Sequence, residues 1–133
     1  MSNRREFLTS ASLLACTPWL AEQSLPLQNT GNMVIHQVFF WLKHKDSKED
    51  KAMLQKGLQS LKAISEVKQL YIGTPASTIQ RDVIDSSYSF SMIMFFDDIA
   101  GQDAYQIHPL HEAFVEQHKH LWNRVVVYDM QTL

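Results

Sequence analysis

Two histidines and a tyrosine fall within seven residues of one another in Tyr105-Gln106-Ile107-His108-Pro109-Leu110-His111. A neutral imidazole can accept a proton, and a phenol can hydrogen-bond a carbonyl oxygen. Together they suit the binding of a carbonyl compound or base-assisted chemistry on it. Pro109 lacks an amide hydrogen and is tolerated in the first turn of a helix, while the residue before a proline is driven out of the helical region. A helix beginning near Asp98 is therefore predicted to stop at His108. A second should start at Pro109 and carry His111 in its first turn. The positive end of a helix dipole disfavours an imidazolium there, so His111 is predicted to be largely neutral near neutral pH.

Each of these residues also has a packing explanation. Tyr105 can be an amphipathic core residue, His108 a helix cap, and His111 a tie between helix start and sheet. His36, inside an apolar run, needs a hydrogen bond whatever its role and reads first as a satisfied core histidine. Met92 and Met94 read as gap-fillers. A metal site is not expected. His111 and His118 are seven residues apart, about 10 Å along a helix, whereas ligand atoms sit about 2 Å from an ion. The sequence holds no Ser-His-Asp pattern, phosphate loop or paired cysteines, and no cofactor is expected.

The elements that must position these groups can be read from periodicity. Met33 to Lys43 is β-branched and aromatic, a strand buried on both faces, with His36 on the side of Val34, Val38 and Phe40. From Ser47 a helix is predicted, with Ala52, Leu54, Leu58, Leu61 and Ile64 on its apolar face and Gly57 weakening it. Val67 to Gly73 reads as a second strand and Ala76 to Ser86 as a loop, either a lid or a surface excursion. Ser87 to Phe96 reads as a third strand, with Tyr88, Phe90, Met92, Met94 and Phe96 on one face. On the last helix, counting 100° per residue predicts a core stripe of Leu110, Ala113, Phe114, Gln117 and Leu121. His111, Val115, His118 and Trp122 then form a ridge along its edge, and His118 and His120 are expected to reach solvent. Asn123 to Asp129 closes the chain as a fourth strand.

That order, strand, helix, strand, strand, helix, strand, is the split βαβ pattern of a ferredoxin-like α+β sandwich. Helices on one side leave the other sheet face bare. Its aromatic content predicts burial against a second copy, hence a homodimer.

The chain has 133 residues, 45% of them hydrophobic and 20% charged, with a net charge of -2. That accommodates one domain, and it leaves no broad basic surface for nucleic acid. Residues 1–15 combine Arg4-Arg5 with a short apolar run from Phe7, too short to span a bilayer as a mature helix. Asn3-Arg4-Arg5-Glu6-Phe7-Leu8 resembles a twin-arginine export signal, and Leu13-Leu14-Ala15-Cys16 resembles a lipobox. The expectation is an exported protein of the cell envelope or periplasm, anchored to the membrane by a lipid on Cys16 or released by an ordinary cleavage. Residues 16–32 would be a tether and residues 33–131 the domain.

Val34-Ile35-His36-Gln37-Val38-Phe39-Phe40-Trp41-Leu42-Lys43, Phe95-Phe96-Asp97-Asp98, the Tyr-x-x-His-Pro-x-His element at 105–111 and Val125-Val126-Val127-Tyr128-Asp129 together resemble the stress-responsive dimeric α/β barrel family, Dabb. The resemblance covers Met33 to Gln131. It implies a dimer whose sheets pack into a barrel, with a cavity between sheet and helices. In plant polyketide cyclases of this family, the second histidine of His-Pro-x-His is the base of an intramolecular aldol closure. The tyrosine three residues before the first histidine assists it. The corresponding positions are His111 and Tyr105. Those enzymes also carry a histidine on the third strand, where this sequence has Phe90.

The expected function is binding of a small, largely apolar molecule without turnover, with His36, Phe90, His108 and Trp122 as further candidates for its contacts. The alternative is a cyclase-like or isomerising enzyme with His111 as base and Tyr105 as acid or polariser. Cofactor-free oxygenation occurs on similar barrels, but no residue here argues for it.

Overall fold

Alternation between buried and half-buried residues runs the whole length of strand β1, Val34–Leu42, because every second side chain of a strand points to the same side. In the computed structural model, residues 32–133 are described. The export motifs, Cys16 and the tether as far as residue 31 lie outside them. After β1 come helix α1, Lys48–Ser60, a 3-10 turn at Leu61–Ala63, and strands β2, Gln69–Gly73, and β3, Phe90–Phe96. Helices α2, Ile99–Gln106, and α3, Pro109–His118, lead through a 3-10 turn at Lys119–Leu121 into strand β4, Trp122–Gln131. The sheet runs β2-β3-β1-β4, with β1 antiparallel to both of its neighbours and β2 antiparallel to β3. This is a ferredoxin-like α+β fold, as the order of elements implies.

One face of the sheet carries Val34, His36, Val38, Phe40 and Leu42 from β1 and Phe90, Met92, Met94 and Phe96 from β3, all buried. The helices lie on this face. α1 supplies Leu54 and Leu58, and the turn after it supplies Leu61 and Ile64, all at most 1% exposed. Burying such a side chain fully is worth about 1.5 to 3 kcal/mol, so these four residues fix α1 to the sheet. Ala52, counted on that stripe from the sequence, is exposed. Ser47 caps α1 by accepting from the Asp50 amide at 3.2 Å, with Glu49 and Asp50 in the first turn where the dipole favours them.

The apolar stripe of α3 differs from the one counted at 100° per residue. Leu110 is 47% exposed and Ala113 and Gln117 are exposed, while His111, Phe114, Val115 and His118 face inward. A count that includes Leu121 runs into the 3-10 turn at Lys119–Leu121. That turn tightens the winding, so buried Leu121 does not continue the phase of α3. Residues expected to form an edge ridge are the inward face.

The other sheet face carries no helix. Tyr71, Tyr128 and Met130 stand there 59%, 64% and 55% exposed. Phe39 packs edge-on against Tyr88 and Tyr128, with ring centroids 4.9 and 6.1 Å away, and Arg124 lies 4.3 Å over the Trp41 ring. β3 begins at Phe90, later than the predicted Ser87. Ser87 to Ser89 instead fasten the preceding loop to β1. The Trp41 indole donates to Ser87 Oγ at 3.0 Å, and the Ser89 amide donates to the Phe40 carbonyl at 2.8 Å.

Candidate functional site

A cavity of about 320 Å³ lies between α2, α3 and the β1–β4 side of the sheet. His36, Tyr105, Gln106, His111, Trp122 and Asp129 supply its polar groups and its one large indole, and Val38, Phe114, Val125 and Val127 are among its apolar walls.

The break between α2 and α3 sets the position of Tyr105 and His111. Asp98 caps α2 through the Gly101 amide at 2.8 Å. α2 ends at Gln106, and His108 takes extended backbone angles as the N-cap of α3. The chain therefore folds back on itself, and the rings of Tyr105 and His111 come within 4.6 Å of each other, centroid to centroid. His108 Nδ1 accepts from the Leu110 amide at 3.0 Å, so that nitrogen carries no proton. His111 is the reverse. Its Nδ1 lies 3.0 Å from the Gln106 carbonyl, which can only accept, so Nδ1 donates and Nε2 is left with a free lone pair.

Burial is the main reason that the His111 pKa lies below its ordinary value. The His36 ring adds to this, while the Gln106 carbonyl and Glu112 oppose it. The neutral form expected from helix position is the one favoured, with desolvation as the leading cause. Burial also pushes the Tyr105 hydroxyl well above the usual phenol range, so it remains a donor. Tyr105 is 1% exposed, wedged between Phe96 at 5.2 Å and His36 at 5.8 Å, centroid to centroid.

His36 is fixed by a partner that the sequence reading did not single out. Antiparallel pairing of β1 with β4 places Asp129 opposite His36, and Asp129 Oδ1 lies 2.5 Å from His36 Nδ1. The His36 side chain is 6% exposed and that of Asp129 51%, so the carboxylate lies between solvent and the buried ring. The carboxylate oxygen accepts and Nδ1 donates. The signal in the sequence was an acidic residue ending an otherwise apolar strand. Its partner could be named only once the register was known.

Tyr105, His111, His36 and Trp122 are thus brought together around one cavity. Phe90 and His108 are not. Phe90 is buried in the core opposite Phe40, and His108 is occupied as a cap. His118, expected to reach solvent, is half-buried. It stacks on Phe114 at 4.8 Å, its Nδ1 donates to the Phe114 carbonyl at 2.8 Å, and its ring lies over Gly57. Among the described residues, no three His, Cys, Asp or Glu side chains are grouped so as to hold a metal ion.

A ferredoxin-like sheet with one bare apolar face and a cavity on the helix side defines the class of protein. The chain belongs to the stress responsive A/B barrel domain family, Dabb, whose model matches residues 34–132. Among solved structures, it is similar to a Dabb family protein of ferredoxin-like fold from Mesorhizobium loti MAFF303099. The two are 32% identical with a TM-score of 0.64, over 77% of this chain and 98% of that one. A dimeric ferredoxin-like protein of unknown function from Thermobifida fusca YX is 22% identical, with a TM-score of 0.63, over 78% of this chain and 93% of that one. The hydroxynitrile lyase from Passiflora edulis is 19% identical, with a TM-score of 0.66, over 77% of this chain and 95% of that one. The last two share the fold alone. No curated protein sequence matches the chain.

Proposed function

We propose that this domain is a homodimer that holds a small, largely apolar molecule bearing a carbonyl or similar acceptor in the cavity beside β4. The observation that carries the reading is the arrangement of Tyr105 and His111. A hydroxyl kept protonated by burial and an imidazole with a free Nε2 border the same mostly apolar space. Tyr105 would donate to the acceptor and His111 Nε2 would accept from a neighbouring hydroxyl or C–H. His36, braced by Asp129, and Trp122 would line the space. The dimer reading rests on the aromatic bare face of the sheet and on relatives described as dimeric. Export through residues 1–15, with Cys16 as a lipid anchor, belongs to the same proposal. It would place the domain in the cell envelope.

A second reading is turnover. The neutral His111 would take a proton from the carbon next to the carbonyl, and Tyr105 would polarise the carbonyl oxygen. The depressed His111 pKa favours it, and Phe90, where cyclases of the family carry a histidine, speaks for binding alone.

The test is thermal unfolding of the wild type, His111→Ala and Tyr105→Phe, each with and without a panel of aromatic and polyketide-like carbonyl compounds. A compound that raises the midpoint of the wild type and of neither variant supports the site. Equal protection of all three proteins overturns it. Consumption of the protecting compound by the wild type then separates turnover from binding.

A further inference from the structure

The cavity is covered by helices on one side only. β4 turns Val125 and Val127 toward it, yet these residues are 37% and 46% exposed. Elsewhere the loop between β2 and β3 carries Ile79 and Val83, each 85% exposed. Single exposed apolar side chains are ordinary. This loop, however, is fastened to the rim of the bare sheet face: Ser87 holds Trp41, Tyr88 packs against Phe39, and Ser89 bonds Phe40. It is therefore continuous with the surface on which the second copy is expected.

We propose that in the homodimer the loop 74–88 of each protomer closes over the Trp122–Val125 end of its partner's cavity, with Ile79 and Val83 as the covering residues. The proposal rests on the dimer reading above and adds that the site is complete only in the dimer. The free edges of the sheet are β2 and β4. A twofold axis parallel to the strands, set between two facing sheets, lays β2 of one copy antiparallel to β4 of the other and gives each edge strand a neighbour. β2 has five residues and β4 has ten. Following the pairing across the sheet, Gln69 is level with Phe95, Ile35 and Met130, and Gly73 with Ser91, Phe39 and Val126. β2 therefore matches only the Val126–Met130 half of the partner's strand. The chain leaving Gly73 runs on at the level of the partner's Val125 and the partner's Trp122, where the cavity wall is uncovered. Pairing β2 with β2 and β4 with β4 would carry the loop away from either cavity.

The test uses the full chain with Cys16→Ser, so that introduced thiols are the only ones. Ile79→Cys and Val125→Cys chains carrying different tags are co-expressed and treated with a short bismaleimide. Ile79→Cys paired with Lys51→Cys, on the exposed side of α1, is the control. About tenfold more cross-linked heterodimer in the first pair than in the control is expected, because held proximity raises the effective thiol concentration. Light scattering on the same samples reads the oligomeric state. A dimer with no excess of the 79 to 125 adduct overturns the loop proposal and leaves the dimer standing. A monomer overturns both. A chain carrying both substitutions that cross-links to itself in preference to its partner also overturns the proposal.

Discussion

His111 and His118 sit seven residues apart on the same helix, and both donate from Nδ1 to a backbone carbonyl, that of Gln106 at the end of α2 in one case and that of Phe114 one turn back in α3 in the other. Their surroundings differ. His111 faces a cavity beside β4, while the ring of His118 is pressed between Phe114 and the bare backbone of Gly57 in α1. One residue type with one hydrogen-bonding habit is open to a ligand in the first place and a filler in the second. What separates them is the space beyond the ring. At the seam of α1 and α3, glycine lets two helices approach until nothing fits between them. At the cleft of α3 and β4, no helix among the described residues lies over Val125 and Val127 of β4, and the space stays open.

The comparison can be broken first at the floor of the cavity. Removing the carboxylate in Asp129→Ala leaves the buried His36 Nδ1 without its partner. A loss of about 1 to 3 kcal/mol is expected in urea unfolding. A smaller loss would mean that the pair is not a structural brace. Gly57→Ala tests the seam. The added Cβ would come within 2.8 Å of three atoms of the His118 ring. Overpacking of about 1 to 3 kcal/mol should outweigh the gain of about 1 kcal/mol in helix propensity. Adding His118→Ala should reverse the sign of the Gly57→Ala effect, because the obstruction is then gone. If the double variant keeps the full penalty, the ring is not what Gly57 accommodates.

Tyr105→Phe keeps the ring and its packing on Phe96 and His36 and removes only the hydroxyl. Stability is expected to change by less than about 1 kcal/mol, while protection by a carbonyl compound is lost. The smallest effect is the pH dependence contributed by His111. Its folded pKa lies below the ordinary 6.5, so the unfolded chain binds the proton more readily. The contribution is fully present above pH 6.5 and is lost as pH falls through the folded value. Thermal melts across that range should show the wild type losing more stability toward acid than His111→Ala. Parallel curves would remove His111 as the cause.

Much of this was open to inspection in the chain itself. The break at His108 and Pro109 followed from proline sterics, and it folds the chain back so that the rings of Tyr105 and His111 meet. The faces of β1 and β3 followed from alternation, and His36 went to the helix side with Val38 and Phe40. The phase of α3 was less legible, because a count at a fixed angle that includes Leu121 runs into the tight turn after His118. Gly57 read as a weak point of a helix, since its purpose depends on a ring about sixty residues away in sequence. Asp129 read as the end of a strand until the β1–β4 register placed it beside His36.

By itself, then, the sequence determined the local elements, their order, the two-faced sheet and the chemical identity of the polar groups. All of these follow from backbone sterics and from the periods of helix and strand, which act over a few residues. Only the tertiary structure decided which histidine opens onto a cavity, which one is jammed against a glycine, and which acid answers the buried imidazole. Those outcomes depend on strand register and on how closely two helices approach. Both are set by packing between residues far apart in the chain, where no local period reports them.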